Sequence, residues 1–319
     1  MGFDKLLGNS RLRENLKNSV SRGKLSHFYL ISGPEGSGKR TLARLLAAAI
    51  LCQSDLRPCD SCTACRKVMA NTHPDFITVD DPEKKTVPVE LIRKARADIY
   101  VQPNEGSRKI YLFPRAQDMG IPGQNALLKV LEEPPSYGVF ILLADNPEKL
   151  LPTVRSRCTE LSLQALDETE LRQALAKRFP NADPEEVENA IYRCGGYLGQ
   201  AIHLLEEGSA LSPQTQEFLQ NFSRKDALGL TRVLVPMGKW KREQLTKELQ
   251  QWAELLQQAL ACRSGVRAAS RQAKELAAQR SGQELLSAIQ HLQKAIDYTQ
   301  GNVSTAAVCG WLEYALRDL

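Results

Sequence analysis

No run in this sequence is long and apolar enough to cross a bilayer. The longest, Leu45 to Cys52, falls far short of the ~20 residues that a spanning helix needs. The first ten residues, Met1 to Ser10, carry charges and no apolar core of signal-peptide length, so a cytosolic location is expected and no membrane contact. No large excess of either charge exists. The 42 basic and 37 acidic residues leave +5, which permits contact with nucleic acid or an acidic partner without demanding it. Internal repeats, low-complexity segments and a dense basic stripe are also missing. What is there is ordinary for a folded protein, with 42% hydrophobic and 25% charged residues. A chain of 319 residues exceeds what one core comfortably serves, so two or three domains are expected.

The first half alternates short apolar runs with helical patterns. His27 to Ser32, Asp75 to Val79, Lys109 to Phe113, Val139 to Leu143 and Thr159 to Leu163 read as strands. Helices are expected over Lys39–Leu51, Val89–Tyr100, Gly123–Glu133 and Pro147–Arg155. The strand runs lack polar alternation, as in a parallel sheet covered on both faces. Beyond Leu166 no strand pattern remains. Asp167, with Glu170 three residues on, opens a helix, and Gly195-Gly196 breaks the pattern before another from Leu198. Long amphipathic helices follow from Leu211, with stripes at Leu245, Leu249, Trp252, Leu256 and Leu260, and at Leu285, Ile289, Leu292 and Ile296. The basic stretch Arg263 to Arg280 between them reads as a solvated loop and polar helix face. The expected organisation is an α/β domain over 1–165, a small helical domain over 166–207 and an all-helical domain over 208–319.

Gly33 to Thr41 reads G-P-E-G-S-G-K-R-T, directly after a strand and before a helix. Gly33, Gly36 and Gly38 would turn backbone N–H groups toward phosphates, and Lys39 would reach the outer ones. The pattern G-x-x-x-x-G-K-[ST] fails at its last position, where Arg40 replaces the magnesium-binding hydroxyl and Thr41 comes one step late. One step on a helix turns a side chain by roughly 100°. A second part of a hydrolytic site is missing too. The strand Lys109 to Phe113 is followed by Pro114 and Arg115, neither of which can hold Mg²⁺ or act as a base, and Asp118 lies beyond the strand end. ATP or ADP binding by this loop therefore stays open beside a bare structural turn.

Four of the eight cysteines, Cys52, Cys59, Cys62 and Cys65, fall within fourteen residues. In a reducing compartment such spacing favours a closed tetrahedral Zn²⁺ site of structural type over disulfides. His73 beside Pro74 reads as a turn residue. Cys158, Cys194, Cys262 and Cys309 read as buried.

Gln124 to Pro135 reads Q-N-A-L-L-K-V-L-E-E-P-P, and Ser156-Arg157-Cys158 follows a further strand and helix. With the glycine loop and the cysteine insertion, these residues resemble the bacterial clamp-loader ATPase family, densely over residues 5–165. The resemblance implies an AAA+ P-loop domain with a five-stranded parallel sheet, a helical lid and a helical collar. It implies as partners the motor (gamma/tau-type) and delta-type subunits of the DNA polymerase III clamp loader, and through the complex a sliding clamp and primed DNA. Motor members of the family keep the strand-end acids, here Pro114 and Arg115, and a lid arginine, here Gly199. The departures imply a non-hydrolysing member whose Arg157 serves a neighbour's ATP in trans. Two rivals remain: a hydrolysing motor subunit of the same loader, and a free-standing zinc-containing DNA-binding protein.

Overall fold

A computed structural model describes residues 2–206, 211–265, 271–301, 303–317 and 319. The chain forms two compact units: Met1–Pro180 with Cys194–Ile202, and Asn181–Arg193 with His203–Leu319.

In the first unit α1 (Ser10–Ser21) leads into β1 (Phe28–Ser32) and α2 (Lys39–Leu51). Then come α3 (Thr63–Met69), β2 (Phe76–Thr78), α4 (Val89–Asp98), β3 (Lys109–Phe113), α5 (Ile121–Glu132), β4 (Gly138–Ala144), α6 (Pro152–Arg155), β5 (Thr159–Ser162) and α7 (Glu168–Arg178). The five strands pair in parallel in the order β2-β3-β4-β1-β5. All five sequence-expected strands form. The unbroken hydrophobicity of β1, β3 and β4 has a geometric cause, because successive side chains point to opposite faces and both faces are covered, whereas the edge strand β5 is buried only at Leu161. Tyr29 and Ile31 of β1, Ile110 and Leu112 of β3, and Val139, Ile141 and Leu143 of β4 pack on one side with α2. Phe28 and Leu30, Tyr111 and Phe113, and Phe140 and Leu142 pack on the other. Phe140 stacks there on Phe28 and Tyr111, with ring centroids at 5.1 and 5.4 Å.

One expected helix is broken. Pro147–Arg155 splits into a 3-10 turn at Pro147–Lys149 and the short α6, with Leu151 extended between them at ψ 138°. A residue before proline is driven out of the helical region, and Pro152 is tolerated only as the first residue of a new helix. Asp167 caps α7 as its spacing suggested, accepting from Glu170 N–H at 2.7 Å.

Asp75, 0% exposed, organises the chain ahead of β3. Its carboxylate accepts from the N–H groups of Asn104, Glu105 and Gly106 at 2.6, 2.8 and 2.7 Å. His73 is buried beside it and accepts from Asp75 N–H at 3.1 Å, the turn role its sequence position suggested. Burial alone would push the Asp75 carboxyl up, but these donors outweigh it and hold it below the usual carboxylate value. A depressed folded-state pKa contributes stability above the unfolded value of about 3.9 and loses it as pH falls further. Asp75→Ala is expected to lower unfolding free energy by about 3 kcal/mol at neutral pH, because three N–H groups lose the charged acceptor that a buried carboxylate provides. Denaturant melts at pH 7 and pH 3 check this. The variant's deficit should shrink at the lower pH, and an equal deficit at both would contradict the account.

In the second unit α8 (Pro184–Arg193) and the end of α9 (Leu198–Glu206) join α10 (Pro213–Arg224), α11 (Ala227–Met237), α12 (Arg242–Arg263), α13 (Arg271–Gln279), α14 (Gly282–Gln300) and α15 (Thr305–Leu316). The helices expected to form a lid thus divide, with α7 in the first unit, α8 in the second and α9 shared. The expected boundary at 207/208 lies outside the described residues. Both apolar stripes are core: Leu245, Leu249, Trp252 and Leu256 of α12 and Leu285 and Leu292 of α14 are fully buried. Trp252 stacks on Phe218 at 3.9 Å, and its indole N–H donates to Thr215 Oγ1 at 2.8 Å.

The basic stretch is not simply solvated. Residues 266–270 lie outside the described residues, but Arg280 is only 2% exposed, with its guanidinium 4.2 Å from the Phe222 ring centroid and bonded to Glu284 at 3.2 Å. Arg263 donates to the carbonyls of Ala277 and Arg280 at 2.7 and 3.0 Å. An aromatic face and a carboxylate brought by other helices make burial of that charge tolerable. Among the described residues no helix is long and apolar enough to cross a membrane.

Candidate functional site

The glycine loop leaves the C-terminal end of β1, between β4 and β5, where strand order reverses and an open α/β sheet forms a crevice. Gly33, Gly36 and Gly38 all have positive φ, and Lys39 opens α2. Arg40 and Thr41 are exposed on the first turn of that helix. The Lys39 ammonium donates to the carbonyls of Gly33 and Pro34 at 2.6 and 2.7 Å and forms an ion pair with Asp145 Oδ1 at 2.6 Å.

The start of α9 packs against the loop. Gly199 N–H donates to Gly36 O at 2.9 Å. A Cβ on Gly199 would stand 2.6 Å from Gly36 Cα, and one on Gly36 only 2.4 Å from Gln200 N. Such contacts are too close for any side chain, so in this arrangement position 199 admits only glycine.

At the end of β3, Arg115 reaches the segment after β2. Its Nε and Nη2 donate to Asp80 Oδ1 at 3.0 and 2.7 Å, Nη2 to Asp81 O at 2.8 Å and Nη1 to Lys84 O at 2.9 Å. Asp118 lies 4.0 Å from the same guanidinium. Arg115 is thus a tether for residues 80–84, and its forked geometry suits that many acceptors.

Arg157 follows α6 and is 38% exposed. It donates to Glu132 Oε1 and Thr153 O, both at 3.0 Å. Glu132, the first acid of the E-E-P-P string, escaped sequence reading as a partner, as did Asp145. The signal for Asp145 was its place, immediately after β4, at the strand ends where such sheets bind ligands.

The four clustered cysteines converge. Cys52 caps α2, Cys62 is the N-cap of α3 and Cys65 lies in its first turn. All four sulfurs lie within 4.8 Å of one another. Four sulfurs at about 2.3 Å from one Zn²⁺ would stand roughly 3.8 Å apart. The Cys52 and Cys62 sulfurs are 3.9 Å apart. Cys62 and Cys65 N–H groups donate to the Cys59 and Cys62 sulfurs at 3.3 and 3.4 Å, which favours thiolates. The Ser61 hydroxyl, helped by the Cys62 N–H, brings the Cys59 thiol down to about 6, while burial raises those of Cys52 and Cys65. The donor set fits a closed zinc site. Of the scattered cysteines, Cys194 and Cys309 are buried, and Cys158 and Cys262 half-buried.

A parallel sheet ordered 2-3-4-1-5, with a phosphate-type glycine loop leaving β1 at the switch point, defines a doubly wound α/β protein of the P-loop type. The chain belongs to the family described as DNA polymerase III, delta subunit, which matches residues 8–167. It is 34% identical over 245 residues to DNA polymerase III subunit gamma of Buchnera aphidicola (strain Sg), covering 73% of this chain and 67% of that protein. It is also similar to DNA polymerase III subunit delta' of Pseudomonas aeruginosa, 35% identical over 57% of each chain. With subunit delta' of Bacillus subtilis the identity is 32%, over 53% of this chain and 51% of the relative. The chain thus spans little more than half the length of these two delta' relatives. A solved gamma subunit-related protein of Thermotoga maritima aligns over 96% of this chain and 98% of its own, at 18% identity and a TM-score of 0.48.

Proposed function

We propose that this chain is a non-hydrolysing, delta'-type subunit of a bacterial clamp loader, acting in the cytoplasm. It lends Arg157 to an ATP site on a neighbouring gamma/tau-type subunit, and the assembly, with a delta-type subunit, places a sliding clamp on primed DNA. The observation that carries this reading is Arg115. A hydrolytic site needs an anion there to seat Mg²⁺, and this position holds a cation committed to Asp80 at 2.7 Å. Arg157 supports the second half. A pair as exposed as Arg157–Glu132 is worth only about 0–1 kcal/mol, so a triphosphate can displace the carboxylate at little cost. Zn²⁺ on Cys52, Cys59, Cys62 and Cys65 would be structural, fixing the chain between α2 and α3. The three-part division at about 165 and 207, with a C-terminal collar, belongs to the same reading.

The similarity to gamma subunits favours, as a second reading, a motor subunit that cuts ATP itself. ATP turnover separates the two. The purified chain alone is expected to release no phosphate above background with Mg²⁺ present, whereas the reconstituted assembly turns over when primed DNA and clamp are added. Steady, Mg²⁺-dependent hydrolysis by the lone chain would transfer the assignment to the motor class.

A further inference from the structure

Lys39 raises a question that the missing magnesium ligands do not answer: a loop that cannot hydrolyse ATP could still bind it. An ammonium has three N–H donors. Here two are bonded to the loop's own carbonyls, Gly33 O and Pro34 O, and the charge is paired with Asp145, whose Oδ1 stands 2.6 Å from Nζ. The Lys39 side chain is only 10% exposed, so water has little access to exchange these partners. Asp145 is itself held in place. Gln117, in the turn after β3, donates from Nε2 to Asp145 Oδ2 at 3.2 Å and accepts from Asp145 N–H at 3.4 Å. A fixed carboxylate thus stands against the lysine that would otherwise meet the outer phosphates.

We propose that Asp145 is a built-in anion occupying the phosphate seat of the 33–41 loop, and that this carboxylate decides that the chain does not take up polyphosphates. The inference rests on reading 33–41 as a phosphate loop and goes beyond the loss of hydrolysis. The latter follows from Arg40, Pro114 and Arg115, whereas this exclusion follows from a charge just beyond the end of β4. An arriving phosphate must break the Lys39–Asp145 pair and then sit beside the released carboxylate, and like charges placed together are strongly disfavoured. The start of α9, packed against Gly36, adds to the exclusion of a nucleoside but does not alter the charge on the loop.

The test is calorimetric titration of the purified full chain with inorganic pyrophosphate and with ADP, comparing wild type, Asp145→Asn and Asp145→Thr, and each of these two variants again with Lys39→Ala added. Removal of the carboxylate is expected to tighten pyrophosphate or ADP binding by about tenfold or more, and Lys39→Ala to abolish the gain. Asp145 is about half exposed, so both variants are expected to fold, and either one suffices. Three results would each overturn the proposal: wild type binding as tightly as the variants, no gain in any folded variant, or a gain that survives Lys39→Ala. Hydrolysis by the lone wild-type chain would instead overturn the clamp-loader assignment, so the two failures are distinct.

Discussion

Arg157→Ala should leave the chain as stable as wild type while lowering ATP turnover at the neighbouring site by about a thousandfold or more, the scale seen when an arginine supplied in trans is removed. Stability is spared because Arg157 is 38% exposed and its two hydrogen bonds, to Glu132 and Thr153 O, are near the surface. Changes at such sites usually stay within about 0.5 kcal/mol. Activity suffers because a guanidinium can hydrogen-bond two phosphoryl oxygens at once and neutralise charge that grows only in the transition state. Arg157→Lys keeps the charge but loses the fork, so partial recovery is expected. The measurement is single-turnover phosphate release by the reconstituted loader with clamp and primed DNA, beside thermal melts of the lone subunit. Unchanged release in a properly assembled complex would leave Arg157 as a surface salt bridge and nothing more.

Stripping the metal should have the largest effect on stability. Structural Zn²⁺ in small peptides contributes roughly 10–16 kcal/mol of apparent binding free energy. Part of that is expected to be recovered here by local packing, because Cys65 and Val68 of α3 pack into the same core as α2. A net loss of several kcal/mol remains, enough to consume much of the stability of an ordinary domain. The purified chain is therefore expected to hold one zinc per molecule. Cys65→Ser, at a fully buried ligand position, should lose the metal and lower Tm by 10 °C or more, on the order of 2–4 °C per kcal/mol for a unit of this size. Cys194→Ser, outside the cluster, should keep its zinc. Metal analysis and calorimetry on the three proteins decide the matter. A native protein free of zinc, with a Cys65→Ser variant of equal Tm, would refute the site.

The two departures from a working ATPase differ in how they could be seen. Pro114 and Arg115 were visible as wrong residues, but not what Arg115 does instead, because Asp80 and the Lys84 carbonyl reach it from the segment after β2. Gly199 was legible only as a glycine, and its closeness to Gly36, which leaves no room for a side chain, came from the fold. The basic stretch misled for the same reason. The charge of Arg280 was legible, whereas the ring of Phe222 that shelters it comes from another helix. The helix expected at Pro147–Arg155 failed on a purely local rule, the effect of Pro152 on Leu151, and could have been read correctly.

The sequence by itself determined what depends on neighbours along the chain. It set the strands and the burial of β1, β3 and β4, the glycine turn leading into α2, the cysteine spacing and the missing hydroxyl at Arg40, all of which follow from backbone geometry over a few residues. Only the tertiary structure decided where charges end up. Lys39 sits on Asp145, Arg115 on Asp80 and Arg157 on Glu132, because Coulomb attraction and hydrogen bonding depend on distance in space, and the fold alone brings those groups within 3 Å.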